Sequence, residues 1–377
     1  MLGAVRDGLA REEEDRLRAE GLYRELLRES PRRREKRVLR DPACASPALA
    51  ARLLKASGEA APDAPRRAEH LAGLGLAIAG RLASPWGDFL VFGLTGSAWA
   101  RIGEARRERG DLAGAEQALA EARLRLDVLP VEAAERGLFC RLLARLRRDQ
   151  ERSDEALALA ARALALAEAR EDREEIGAAT LDLGWMELAD FESGAALPLF
   201  ERAAACFLDP DPVRPWFEAR RGLALAASDL QDGMRVEEAL RELREGAAGL
   251  TPLDRLRIER VEAEVDQARD RNAEALAALA RVWRGLAEAG APFEAVDTGL
   301  DLVRLSLEQG KGEELERFRA ALPRLPRLPV RLRAALALAL EEILRPDLPP
   351  FGAVDRLDRL QAHLRRYRHA SPLPLPA

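Results

Sequence analysis

The chain has 377 residues, 33% of them charged, and a net charge of −5, which excludes a polycation built to coat nucleic acid. Aromatics make up only 5%, while alanine, leucine, glutamate and arginine dominate. That composition suits all-α packing, because β cores lean on valine, isoleucine and aromatics.

Lysine occurs only at Lys36, Lys55 and Lys311, so an arginine-rich, GC-rich bacterial coding sequence is expected. Cys44, Cys140 and Cys206 share no C-x-x-C spacing and read as buried thiols of a reducing cytoplasm. The first residues, MLGAVRDGLAREEED, turn acidic without an apolar h-region, so no secretory signal is expected.

In chain order, residues 1–45 read as a charged helical lead-in. Leu17, Leu22, Leu26 and Leu27 make a narrow apolar stripe, followed by the basic run Arg32 to Arg40. On a helix Arg33, Lys36, Arg37 and Arg40 share a face. It reads as solvated and salted by Glu29, Glu35 and Asp41, with an anionic-surface or nucleic-acid contact as the alternative. Ser46 to Pro62 begins like a helix-turn-helix, but Pro62 and Pro65 break the place where a recognition helix should run. Leu71 to Ala100 carries only Arg81 and Asp88 as charges. With Pro85 in its middle, neither half supplies the roughly 20 unbroken apolar residues that a membrane span needs.

Gly96 to Arg125, GSAWARIGEARRERGDLAGAEQALAEARLR, is the stretch that organises the rest. It predicts two amphipathic helices meeting at a tight Gly110-Asp111 turn. Trp99, Ile102 and Gly103 share one face of the first; Ala115, Leu119 and Ala122 share one face of the second. A second copy, TLDLGWMELADFESGAALPLFERA, places Leu183-Gly184, Ala196, Phe200 and Ala203 in the same pattern. The small residues opening each second helix are Ala68, Ala115, Ala156, Ala196, Ala239, Ala275 and Leu315, at spacings of 47, 41, 40, 43, 36 and 40.

These residues resemble the tetratricopeptide (TPR) repeat, with its W-x-x-L-G and A-x-x-x-F-x-x-A positions. The spacing exceeds the family's minimal period of about 34 and is more similar to the long-period TPR-like domains of bacterial regulators. The resemblance covers residues 46–320 and implies an all-α, right-handed superhelical solenoid of antiparallel helix pairs, continuous because no repeat buries its own apolar face. Ala61-Pro62-Asp63, Leu129-Pro130, Asp209 to Pro212, Thr251-Pro252 and Ala291-Pro292 punctuate the units, with Thr251 as a candidate helix cap.

Beyond the repeats, residues 321–333 read as a proline-rich linker with Pro323, Pro326 and Pro329 three apart, a docking motif being the alternative. Residues 334–368 read as terminal capping helices, the second marked by Val354, Leu357, Leu360, Leu364 and Tyr367. Residues 369–377 read as a disordered tail.

Nothing in the sequence names a reaction. His70, His363 and His369 sit beside no ligand-spaced Cys, Asp or Glu, and no G-x-S-x-G or phosphate-binding glycine loop is present. No enzyme, cofactor, metal, nucleic acid or membrane is therefore expected. What the TPR resemblance implies is a groove lined by the first helices, binding a protein or peptide segment. The positions that map there are Ser97, Ala100, Glu104 and Arg107, with Arg101 at the edge, then Arg141, Arg145 and Arg148, then Asp182 and Trp185, then Arg257, Arg260 and Glu264. Arginine forks beside an indole suit an acidic partner with an apolar anchor. The alternative is that the arginines are ordinary solvated positions and Trp185 is core. Asparagine occurs only at Asn272, so the asparagine clamp of chaperone-tail-binding TPR domains has no counterpart here. A regulatory sensor of a peptide or small effector, acting through a separate transcription or defence protein, is the second functional reading.

Overall fold

A computed structural model describes residues 2–360 apart from 63, 83–87, 131–132, 151, 190–191, 208–212, 247–251, 290, 311–312, 323–329, 344–351, 355 and 358; of residues 2–12, 189, 213–214, 254, 292–293, 313–315 and 330–335 it describes the backbone alone. All described regular structure is helical. It gathers into two compact units, Met1–Asp172 and Arg173–Ala377.

In the first unit, α1 (Leu2–Arg28) and α2 (Pro31–Arg40) precede three helix pairs. These are α3 (Pro47–Ala60) with α4 (Pro65–Ala79), α5 (Asp88–Glu108) with α6 (Leu112–Leu126), and α7 (Ala134–Asp149) with α8 (Ser153–Ala169). The second unit holds α9 (Arg173–Ala189) with α10 (Ser193–Cys206), and α11 (Val213–Asp229) with α12 (Gly233–Gly246). There follow α13 (Pro252–Ala268) with α14 (Asn272–Glu288), α15 (Pro292–Glu308) with α16 (Glu313–Ala321), and α17 (Val330–Ile343). The break between α8 and α9 carries neither proline nor glycine, so composition does not announce it.

Local chemistry sets the helix ends. Pro31, Pro47, Pro65 and Pro292 stand at first helical positions, where the missing N–H is no loss. Gly110 takes φ 80° and closes α5; the Asp111 carboxylate then accepts from Gly114 N at 2.8 Å and opens α6. This is the predicted Gly-Asp turn. The cap expected at Thr251, the Asp209–Pro212 turn, residues 323–329 of the 321–333 linker, and Leu364, Tyr367 and the tail lie outside the described residues. The ends of that expected linker are helical, since α16 runs to Ala321 and α17 begins at Val330 rather than at 334.

Between the helices of a pair, small residues on the first receive large ones from the second. A Cβ on Gly103 of α5 would sit 2.9 Å from the Leu119 side chain of α6. Gly184 of α9 and Gly222 of α11 flank the same fully buried ring, Phe200 of α10. Ala68, Ala115, Ala156, Ala196 and Ala275 are buried one turn into their second helices. In α12 the equivalent position is Val236, also fully buried, rather than Ala239. That register evens the period to about 40 residues.

Within the first unit α3, α5 and α7 lie side by side, whereas α4, α6 and α8 make no comparable contact with one another. The first helices of that unit therefore form a closely packed layer, within which the mapped Ser97, Ala100, Glu104 and Arg107 are buried. Leu357 and Leu360 are buried in the last core cluster, with α17. Cys44 and Cys140 are buried free thiols and Cys206 is a half-buried one. Among the described residues no helix is long and apolar enough to cross a membrane.

Candidate binding surface

Residues three or four apart on α5 and α7 face the neighbouring first helix. Glu104 is 4% exposed, and a carboxylate in that position costs several kcal/mol unless it is paired. Arg101 donates to its Oε2 at 2.7 Å from the same helix, and Arg145 of α7 donates to its Oε1 at 2.7 Å. Burial pushes the Glu104 pKa up, but the charges of Arg101, Arg145 and Arg107 outweigh it and hold it below the usual carboxylate range. Arg101 lies over Gly58 of α3, where any Cβ would meet its guanidinium.

One turn further along α5, Arg107 donates to Asp149 of α7 at 2.6 Å and also pairs with Glu108. Burial opposes its charge, yet Glu108 and Asp149 raise its pKa. Arg141 is half-buried and, like Arg145, engaged in further interactions within the fold. Arg148 keeps 40% of its side chain exposed, with Nη2 3.4 Å from Asp149. The expected Ser97 and Ala100 are buried between helices and present little surface.

The second unit uses the same device with more acid. Arg257 of α13 forms a two-pronged pair with Glu294 of α15, at 2.9 and 2.7 Å. Arg260 reaches Asp297 at 2.9 Å, Asp301 at 2.7 Å and Glu264 at 3.2 Å. Its own burial opposes the charge, but Asp301, Asp297 and Glu264 hold its pKa above the ordinary arginine value. Glu264 also meets Arg221 of α11 at 3.2 Å. Trp185 is half-buried, edge-to-face with Phe200 at 5.0 Å and 70°, and its open face carries the Arg221 guanidinium at 5.0 Å. The indole expected as an anchor thus already has an arginine over its ring and a phenyl ring against it. Asp182, mapped beside it, is buried.

The structure joins Arg101, Glu104 and Arg145 into one cluster and sets Arg257 and Arg260 in another; Arg148 stands at the exposed end of α7. Sequence mapping missed the carboxylates that answer these arginines: Asp149, Glu294, Asp297 and Asp301. A signal for them was present. The pairs lie 37, 41, 42 or 43 residues apart, one repeat period, with opposite charge.

On another side of the second unit an open cavity of about 720 Å³ lies among α12, α13 and α14. The Arg244–Glu262 and Arg281–Glu259 pairs, each at 2.7 Å, line it.

No protein-family model matches the chain, and no curated protein matches it. Solved structures do. Aspartyl phosphate phosphatase F from Bacillus subtilis is similar over 76% of this chain and 71% of its own, at 12% identity and a TM-score of 0.54. A kinesin light chain with nearly identical TPR-like repeats, from Podosopora anserina, matches over 54% of this chain and 96% of its own, at 18% identity and a TM-score of 0.39. The Rap conjugation gene regulator of plasmid pLS20, solved with the Phr* peptide, matches over 87% and 98%, at 14% identity and a TM-score of 0.48. At these identities what is shared is the fold: this chain is a TPR-like, all-α helical-repeat protein.

Proposed function

We propose that this protein is a non-catalytic binding scaffold of the cytoplasm, and that the first-helix face around Glu104 takes a protein or peptide segment carrying carboxylates. The row of arginines that α7 sets beside that carboxylate supports the reading. Arg141, Arg145 and Arg148 recur at about one helical turn and span roughly 10 Å along α7. Guanidinium forks hold carboxylates through two parallel bonds, which gives geometric selectivity as well as attraction.

An apolar contact is available on the same helix. Phe89 and Leu90 are 63% and 39% exposed. By helical periodicity they share the broad side of α5 that carries Arg107 and Arg101, about 20 Å from Glu104 along the axis. A segment with an apolar residue and carboxylates separated by about that distance fits both. Arg257, Arg260 and Trp185, answered by acid and aromatic neighbours, then serve to hold helices together, as do Arg101 and Arg145 through Glu104, while Arg148 and the exposed part of half-buried Arg141 face the partner. Three unpaired cysteines suit a reducing compartment.

The test is a crosslinking pull-down from native cells with wild type beside Arg141→Glu/Arg148→Glu, a variant that leaves the Arg145–Glu104 pair intact. Loss of one protein with the variant supports this face and identifies the partner. Recovery of the same proteins with both sinks the reading.

A further inference from the structure

A second surface, independent of the first, lies on α2. Between Arg24 and Asp41 the chain carries eight cations against four carboxylates, although the whole molecule is net negative at −5. The fold neutralises only part of that excess. Arg34 is spent on the Leu26 and Leu27 carbonyls at 2.8 and 2.9 Å, ending α1. Arg37 takes three carboxylates, Glu25 at 2.7 Å, Glu29 at 2.9 Å and Asp41 at 3.3 Å. Glu35 turns away toward His70 Nδ1, 3.5 Å off. The acids that could have salted the basic face are therefore engaged by Arg37 and His70.

What remains is Arg32, Arg33, Lys36 and Arg40. All four are exposed, and among the described residues none of their side chains has a hydrogen-bond or ion-pair partner. Helical periodicity puts them within an arc of about 100°. Arg33, Lys36 and Arg40 border a shallow groove of about 530 Å³ whose other walls are Glu29, Arg37 and Asp41. Leu39, 58% exposed, stands at the edge of the arc, while Val38 is fully buried. Several other helices of this chain meet their arginines with carboxylates from a neighbour; among the described residues none does so on this side of α2.

Three occupants could answer a basic row. An interfacial helix buries a broad apolar face in lipid, and α2 offers only Leu39. Strong nucleic-acid binding neutralises about six to ten phosphates, more than one ten-residue helix supplies from four cations on a net-negative chain. An acidic helix matches better, because Arg32, Lys36 and Arg40 climb in steps of about 6 Å, the rise of carboxylates four residues apart. The chain uses this pairing itself, where Arg257 and Arg260 of α13 meet Glu294, Asp297 and Asp301 of α15.

We propose that the Arg32, Arg33, Lys36 and Arg40 face of α2 docks an acidic helix of a partner protein, with Leu39 as its apolar contact. The probe is an alanine-based helical peptide bearing glutamate at every fourth position and leucine beside that row. Its binding to the full chain is followed by fluorescence anisotropy at low and physiological salt. Beside it run the glutamine-for-glutamate peptide, phosphatidylserine-containing vesicles and a single-stranded RNA oligonucleotide. Saturable peptide binding is expected, weakening with salt and falling about tenfold or more in Arg32→Gln/Lys36→Gln/Arg40→Gln. That variant should melt with the wild type, since its side chains touch no partner. Four outcomes would each overturn the proposal: no binding of the glutamate peptide, equal binding by the variant, tighter binding of vesicles or RNA, or a variant that loses helix.

Discussion

Arg145 of α7 donates at 2.7 Å to Glu104 of α5, a carboxylate only 4% exposed and 41 residues earlier in the chain. The bond spans one repeat and ties adjacent first helices by charge rather than by apolar contact. Removing one partner of a buried pair costs about 3–5 kcal/mol, and a part-exposed partner lowers that figure. Arg101 and Arg145 keep 21% and 25% of their side chains exposed. Glu104→Gln should therefore destabilise the protein by about 1–3 kcal/mol, read as a lower urea midpoint with an unchanged slope.

The same carboxylate gives a pH dependence. Its folded-state pKa lies below the unfolded one, so the pair adds stability at neutral pH, above the ordinary carboxylate value. That contribution is lost as pH falls through the folded value. Glu116, held low first by its hydrogen bond from Arg147, acts in the same direction. The difference in urea midpoint between wild type and Glu104→Gln should shrink as pH drops from 7 into the acid limb below about 4. A difference constant across that range would show that the charge is not what stabilises the pair.

The space around two glycines predicts substitutions of opposite sign. A methyl on Gly222 would overlap the buried Phe200 ring, and overpacking of that kind costs about 1–3 kcal/mol. Gly73, inside α4, has nothing within 4 Å of the same added atom. Gly73→Ala should gain about 0.5–1 kcal/mol from helix propensity. Thermal melting of the two variants checks both signs at once.

The helix pairs were legible because their signals are local. Trp99, Gly103, Gly110-Asp111 and Leu119 lie within one stretch, and their periodicity needs no knowledge of the rest of the chain. The second copy was legible for the same reason, from Gly184, Ala196 and Phe200. The anchor in α12 slipped by one turn, since Val236 and Ala239 are both apolar and only packing distinguishes them. The site was harder to read because an arginine's availability depends on charge a full repeat away. Arg257 and Arg260 look open in sequence until Glu294, Asp297 and Asp301 are brought beside them. Trp185 likewise looks available until Arg221 is placed over it.

Gln231, between α11 and α12, takes φ 57° in the left-handed region. Gly110 and Gly310 fill the corresponding corners after α5 and α15 with φ 80° and 62°. A side chain pays about 1–2 kcal/mol there that glycine does not. Gln231→Gly should thus stabilise the protein by about 1 kcal/mol, visible as a raised melting temperature; a fall would mean that its side chain holds the corner.

The three thiols should react at unequal rates. Burial pushes the Cys44 and Cys140 thiols up, which lowers their thiolate fraction, and both are shielded from reagent. Cys206, only half-buried, should be labelled first by a thiol reagent on the native protein, with the other two following on denaturant addition. Equal rates for all three in the native state would contradict the placement of the two buried cysteines.

Repeats of similar length with similar apolar faces can stack on the wrong neighbour during folding, a known hazard of such chains. The ionic rungs act as a matching code against this. Between α5 and α7 the signs alternate, Glu104 to Arg145 and Arg107 to Asp149. Between α13 and α15 they do not alternate: arginines on one helix meet only acids on the next. A chain that laid another first helix against α5 would leave buried Glu104 without Arg145. Leucine and alanine would tolerate that mistake, but a buried carboxylate short of its cation would weaken the wrong stack and let the chain separate and try again.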